Sequence, residues 1–271
     1  MPIEKSIKNI SDRFSIKYIV PFGIELSALD KISTLNDIDP VILRKLIKTY
    51  KIIIIRNINV ISKTALVKYA ENIGPLLAWD FGVVMEMRTQ KEPKNYLFTN
   101  GAVPFHWDGA FHKEPRYLLF HCIEAPLTGC GGETLFSSTH HIWLNASEDE
   151  KLDWATKILY YKTEKLAHYG GEIDISLVQK HPDTNETILR FAEPVPATML
   201  NPVEITIDGM DSVTTQKWLD GIATRCYRSE NCYEHIWKEN DILLADNFSL
   251  IHARHAFKQF SPRFLRRIQI L

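Results

Sequence analysis

The stretch Phe105-His106-Trp107-Asp108-Gly109 limits the folds open to this chain more than any other. On a β-strand, residues two apart point to the same face. His106 and Asp108 can therefore reach one point in space, while Trp107 turns the other way to pack. One imidazole and one carboxylate do not complete a metal site. The third donor is sought near the C-terminus, where Asp246-Asn247-Phe248-Ser249-Leu250-Ile251-His252 is followed by Arg263. Two imidazoles and a carboxylate can grip a metal from one side and leave the other side open for reactants. The fold must then carry His252 back against the His106/Asp108 pair. A His-x-Asp triplet alone is weak, because chance supplies it in many chains of this length. Gly109 strengthens it, since glycine suits a chain that must turn sharply beside a metal.

Around this stretch the pattern alternates between helical and strand periodicity. Residues 1–15 read as a loosely held arm, and 16–24 as a strand interrupted by Pro21-Phe22-Gly23. Asp39 is placed to cap a helix over 39–47 that begins with Pro40. The β-branched run 51–56 predicts a buried strand, and Ser62 predicts the cap of a helix ending at Gly74-Pro75. Strand signals follow at Val83-Val84-Met85 and Tyr96-Leu97-Phe98, then at 116–123 and 133–136. Ser147 and Glu150 form a capping-box pattern for a helix over 147–161. Residues 162–200 read as loops around one strand at 188–191, and a long irregular insert is usually a lid or binding loop. A helix over 213–226 and strands at 242–246, around His252 and over 263–271 close the chain. The expectation is one α+β domain over residues 1–271, with a rolled sheet as core and helices outside it.

Composition removes several classes of function. The chain has 271 residues, 45% of them hydrophobic, enough for a sizeable core. A net charge of -1 argues against a nucleic-acid partner. The longest apolar run, Ile52-Ile53-Ile54-Ile55, is too short to span a bilayer, so no membrane partner is expected. Cys122, Cys130, Cys226 and Cys232 form no C-x-x-C pair, which argues against structural zinc. The polar, mixed-charge stretch 1–15 does not look like a secretory signal, so free thiols in a reducing cytoplasm are expected.

The chain resembles the taurine dioxygenase family of Fe(II)/2-oxoglutarate-dependent oxygenases, and the match runs through nearly its whole length. It is carried by Pro21-Phe22-Gly23, Gly74-Pro75, Phe105-His106-Trp107-Asp108 and Gly131-Gly132-Glu133-Thr134-Leu135-Phe136. His181-Pro182-Asp183-Thr184, Asp246 to Arg254, and Arg263-Phe264-Leu265-Arg266-Arg267 complete it. The resemblance implies a double-stranded β-helix (jelly-roll) core. It makes His106, Asp108 and His252 the iron ligands, and Thr134 and Arg263 the grip on the distal carboxylate of 2-oxoglutarate. Arginine suits that task because its fork binds a carboxylate through two donors, which lysine cannot do. Arg267, four residues on and on the same strand face, matches the position that holds the substrate's anionic end, while Arg266 points outward. The cofactors implied are Fe(II), 2-oxoglutarate and dioxygen, and the partner is a small carboxylate substrate. Asp108 stands where related halogenases lack a carboxylate, which disfavours halogenation.

The segment from Leu97 to Phe111 also looks like the enzymes that act second in bacterial isonitrile pathways, which oxidise tyrosine isonitrile. The alternatives within the family are a sulfonate dioxygenase and an amino-acid β-hydroxylase; outside it stands a non-catalytic metal- or ligand-binding barrel. Other candidate residues have blander expectations. Arg254 and His255 read as structural supports, His140-His141 as a solvated pair, His112 and His121 as surface or core histidines, and Trp107 as core. Arg267 keeps the alternative of a plain salt bridge. Nothing in the sequence speaks to the oligomeric state.

Overall fold

A computed structural model of the chain describes residues 10, 12–166 and 169–271. It is a mixed α+β structure made mostly of sheet. A hairpin, β1 (Phe14–Tyr18) and β2 (Ile24–Ala28), leads to α1 (Pro40–Tyr50), β3 (Ile52–Arg56), α2 (Lys63–Glu71) and β4 (Val84–Met87). β5 (Val103–His106), β6 (Tyr117–Glu124) and β7 (Thr134–Ser138) follow, then α3 (Thr139–Leu144) and α4 (Glu148–Ala155). β8 (Ile158–Leu166), β9 (Tyr169–Ser176), β10 (Val178–Lys180), β11 (Thr187–Leu189) and β12 (Glu204–Ile207) precede α5 (Ser212–Cys226). The chain closes with β13 (Cys232–His235), β14 (Ile242–Asp246), β15 (Leu250–Arg254) and β16 (Phe264–Ile270).

Two sheets enclose the site. The larger runs β1-β2-β3-β14-β6-β16-β4 and the smaller β13-β7-β15-β5. The isoleucine run of β3 shows how the layers form. Ile53 and Ile55 join the core under α1 and α2, while Ile52 and Ile54 face the other way. There they meet Phe120 and Leu265 of the same sheet, and Phe136 and Leu250 of the smaller sheet. Period-two alternation thus feeds two cores from one strand, which is why every residue of the run is apolar. The outer face of the smaller sheet packs Phe105, Leu135 and Ile251 against Leu159, Leu219 and Ile222 in a third core.

Asp39 caps α1 as the sequence predicts, accepting from the Val41 N–H at 2.8 Å. Several expectations need correction. Of the loose arm over 1–15, residues 1–9 and 11 lie outside the described residues; Ile10 and Phe14 are buried, and Phe14 starts β1. The interrupted strand over 16–24 is instead two antiparallel strands turning at 19–23. Tyr96–Phe98 is a 3-10 turn capped by the Asn95 side chain, not a strand. The helix over 147–161 stops at Ala155, because Ile158-Leu159-Tyr160-Tyr161 pairs with β9 and β12. Residues 162–200 are more regular than expected: β8 and β9 make a long hairpin, and β10 and β11 a short one. No helix among the described residues is long and apolar enough to cross a membrane.

Candidate active site

The pairing of β5, β15 and β7 assembles the donors. His252 sits opposite His106 on one side and Phe136 on the other, and Arg254 sits opposite Thr134. The two imidazole centroids are 4.3 Å apart. Each Nε2 lies 3.9 Å from Asp108 Oδ1. The three ligand atoms lie within 4.8 Å of one another, and no other group of three His, Cys, Asp or Glu side chains among the described residues comes together in this way.

The protonation states suit a metal. The His106 Nδ1 proton is placed to bond the Pro104 carbonyl at 2.9 Å, which leaves the Nε2 lone pair free. Burial pushes the His106 imidazole below its ordinary range. Burial, reinforced by His106, holds His252 well below it. Both rings are thus neutral donors. Burial alone would raise the Asp108 carboxyl, but Arg267, the two histidines and Gln269 outweigh it and keep the group ionised. Two neutral imidazoles and one carboxylate are a fitting donor set for Fe(II).

The turn that presents Asp108 is pinned from behind. The Asn247 side chain accepts from Asp108 N–H at 2.9 Å and donates to the carbonyls of Asp108 and Pro115 at 3.0 and 2.9 Å. Asp246 in turn accepts from the backbone of Phe248 and Ser249 and pairs with His181 at 3.0 Å. Gly109 has φ +87°, and a Cβ there would run into the Lys113 carbonyl and lie 2.7 Å from Glu114 Cα. The glycine is required by both the dihedral and the space. Trp107 is core, as expected, and donates to Glu114 at 2.6 Å.

Arg263, Thr134 and Arg267 converge on the same inner space from two sheets. Arg263 Nε donates to the Gly132 carbonyl at 2.9 Å and Nη2 to Thr134 Oγ1 at 3.2 Å. Thr134 also accepts from Trp237 at 2.9 Å, so its own proton remains to donate. No ion pair among the described residues engages Arg263, and burial pushes its guanidinium down to about 9. A buried cation without a counter-ion is a standing attraction for a carboxylate. A narrow cleft lined by Thr134, Arg263, His106 and His252 leads from it to the triad.

Arg267 is buried and donates to Asp108 Oδ1 at 3.0 Å and to Met85 Sδ at 3.1 Å. It also lines a larger cavity of about 650 Å³. Trp79, Phe81, Phe98, Phe111 and Tyr161 give that cavity aromatic walls, and His106 and Asp108 also line it. Arg266 faces away, 3.8 Å from Glu86.

The other histidines lie elsewhere. His140 and His141 are not a solvated strand pair: they sit on α3, half-buried, His140 bonded to the Thr187 carbonyl and His141 edge-on to Phe22. His121 is buried and bonded to Asn240. His112 packs on Trp79 at the cavity wall. His255 is half-exposed near Glu234. Arg254 holds the carbonyls of Leu97, Thr99 and Gly101, and so supports the segment before β5. Sequence reasoning missed Gln269, whose amide donates to Asp108 Oδ2 at 2.7 Å. The signal was present, since period two carries the face of Arg267 on to Gln269. The sequence does not mark Asn247 as a clamp on Asp108.

Comparison with known proteins agrees with this geometry. The sequence profile of the taurine catabolism dioxygenase TauD, TfdA family matches residues 15–269. A 3-((Z)-2-isocyanoethenyl)-1H-indole synthase of Fischerella ambigua is 40% identical over 264 residues, 96% of this chain and 97% of that one. A tyrosine isonitrile desaturase of Pseudomonas aeruginosa is 34% identical over 210 residues, covering 76% of this chain and 72% of that one. Among solved structures, PvcB, described as an Fe, alpha-ketoglutarate dependent oxygenase from an isonitrile synthetic pathway, matches with a TM-score of 0.77. That match has 27% identity and covers 95% of this chain and 91% of PvcB. The chain belongs to the TauD, TfdA family and is an Fe(II)- and 2-oxoglutarate-dependent oxygenase.

Proposed function

We propose that the chain is one catalytic domain over residues 1–271 that removes the carboxylate and one hydrogen from an aromatic α-isocyano acid and releases a vinyl isonitrile. One observation carries this reading: the 40% identity, along nearly all of both chains, to a relative named for making an isocyanoethenyl indole. An indole-bearing substrate is therefore placed first. The tyrosine isonitrile expected from the sequence is of the same class, and relatives named for it are 34% and 28% identical. The aromatic walls of the 650 Å³ cavity support a flat, apolar side chain over a small polar one such as taurine's. We read the two facing sheets as a double-stranded β-helix around the site.

In this reading His106, Asp108 and His252 hold Fe(II), Thr134 and Arg263 bind the distal carboxylate of 2-oxoglutarate, and Arg267 faces the substrate carboxylate. With 2-oxoglutarate and dioxygen, the bound metal supplies an oxidant that takes a hydrogen atom, while 2-oxoglutarate leaves as succinate and carbon dioxide. The cavity walls orient the aromatic group so that its β-carbon faces the triad, and they exclude water. Arg267 holds the carboxylate until it is lost. The β C–H bond and the bond to the carboxylate break and a carbon–carbon double bond forms. The two electrons released, with one proton from the substrate and one from the medium, reduce an oxygen atom of dioxygen to water. The segment 162–200 contributes Ala192, Glu193 and Val195 to the cavity, which supports a closing role for it. All four thiols are unpaired, which supports a reducing, cytoplasmic setting.

The test is to supply anaerobic protein with Fe(II), 2-oxoglutarate and the isonitrile of tryptophan or of tyrosine, admit oxygen, and follow succinate and product mass. A product lighter by a carboxyl group and a hydrogen is expected, faster from the tryptophan derivative. A product heavier by one oxygen would replace desaturation with hydroxylation. Succinate at only the uncoupled rate with both would remove this substrate class, and sulfonates and free amino acids would be tried next.

A further inference from the structure

We propose that Gln269, locked in place by Trp79, is a positioning residue that fixes how Asp108 presents itself to the metal. The proposal rests on Asp108 being a ligand. The two carboxylate oxygens have different surroundings. Oδ1 faces both imidazole Nε2 atoms at 3.9 Å, Arg267 Nη1 lies about equally near both oxygens, at 3.0 Å from Oδ1 and 2.9 Å from Oδ2, and Oδ2 alone accepts the Gln269 amide, at 2.7 Å. Gln269 Oε1 in turn accepts from Trp79 Nε1 at 2.6 Å.

The order of this chain is dictated by donor chemistry. An indole N–H can only donate, so the amide must turn its oxygen to Trp79 and its NH2 to Asp108. Without Trp79 the amide could flip and set an oxygen against the carboxylate. The backbone holds the two residues together as well. Leu77 N–H donates to the Gln269 carbonyl at 2.9 Å, and Leu271 N–H to the Pro75 carbonyl at 2.8 Å. Trp79 and Gly82 close the turn between them by exchanging backbone bonds of 3.0 and 2.8 Å.

Two consequences follow for the centre. Gln269 ties down Oδ2 and turns Oδ1 towards both imidazoles, so a metal held by His106 and His252 would meet the carboxylate through Oδ1. Trp79 also stacks on Phe81, with centroids 6.2 Å apart and 8° between planes, and touches His112; all three line the aromatic cavity. The hydrogen-bonded chain therefore runs from the wall that receives the substrate to a metal ligand.

Titration of the metal-free protein with Co(II), followed by visible absorption, tests this without relying on turnover. Gln269→Leu is expected to weaken Co(II) binding about 10–100-fold, the usual cost of losing a partner of a ligand. Trp79→Phe keeps the ring and its stacking and removes only the donor; about a 3–10-fold loss is expected. The double variant should bind no more weakly than Gln269→Leu, because Trp79 acts through Gln269. Metal-free melting midpoints close to wild type confirm that the variants are folded. Wild-type Co(II) affinity in Gln269→Leu, or additive losses in the double variant, would overturn the proposal. Co(II) binding that survives Asp108→Ala would overturn the metal centre itself and this inference with it.

Discussion

Replacing Arg263 by leucine has two opposite consequences that together test the cofactor site. The guanidinium spends Nε on Gly132 and one Nη2 proton on Thr134, which leaves Nη1 and a second Nη2 proton for a bound carboxylate. Two charge-assisted hydrogen bonds at about 1.5–3 kcal/mol each amount to about 3–6 kcal/mol. The KM for 2-oxoglutarate should therefore rise about 10²–10⁴-fold. Lysine keeps the charge but loses the fork and should fall between, at about 10–100-fold. Stability moves the other way. Burial pushes this cation down to about 9, a drop that corresponds to about 4–5 kcal/mol of cost carried by the folded protein. Leucine removes that cost and orphans the Gly132 carbonyl, worth about 1–3 kcal/mol. The metal-free melting midpoint should stay level or rise by a few degrees. Succinate formation against 2-oxoglutarate concentration and a calorimetric scan read the two effects. A KM within threefold of wild type, with a midpoint that falls, would show Arg263 to be a structural cation and refute the reasoning.

Asn247→Ala removes three hydrogen bonds that hold Asp108 and Pro115; a loss of about 2–4 kcal/mol, seen as a midpoint lower by about 5–15 °C, is expected in a thermal melt. Gly109→Ala should cost more than about 2 kcal/mol in urea denaturation, because it adds a backbone clash to a φ of +87°, whereas Gly129→Ala, at φ +72° with open space around it, should cost only about 1 kcal/mol. Burial holds His106, His235 and His252 below the ordinary value of about 6.5. The unfolded chain then binds protons that the folded chain refuses, so stability is full above about pH 6.5 and declines below it. The slope is up to about 1.4 kcal/mol per histidine per pH unit, and an equal or higher midpoint of the metal-free protein at pH 5.5 than at 7.5 would contradict it.

How far the sequence was legible depends on the range of the physics behind each reading. Cap chemistry is local, so Asp39, Ser62 and Ser147 mark helix starts correctly. Alternation is local too, and it places Arg263 and Arg267 towards the site and Arg266 away from it. Helix ends are set by tertiary pairing: nothing within 147–161 says that Tyr160 and Tyr161 have strand partners at Asp174 and Ile173. The same blindness made 162–200 look irregular. The gathering of His106, Asp108 and His252 was legible because metal chemistry needs fixed residue types, and Arg263 was legible through the family resemblance. Period two puts Gln269 on the face of Arg267, but what Gln269 bonds and what Asn247 clamps are set only by the assembled sheets.

The charges around Asp108 also bear on the order in which the site fills. Without a metal, Arg267 is the counter-ion of Asp108, 2.9 Å from Oδ2, and both are buried. A divalent cation held by His106, Asp108 and His252 would draw on that carboxylate. Arg267 would then face the aromatic cavity with less of its charge compensated, and its Nε, buried without a partner, would be available as a donor to an anionic substrate. Metal binding should therefore strengthen the binding of an anionic substrate, and by linkage the substrate should strengthen the binding of metal by the same factor. Calorimetric titration of the substrate carboxylate into metal-free and Mn(II)-loaded protein measures that factor, and about 5-fold or more is expected. Arg267→Leu should abolish most of the difference while leaving Mn(II) binding measurable. Equal substrate affinity in the two forms would mean that Arg267 stays committed to Asp108 throughout, as a plain buried salt bridge, and that another group receives the carboxylate.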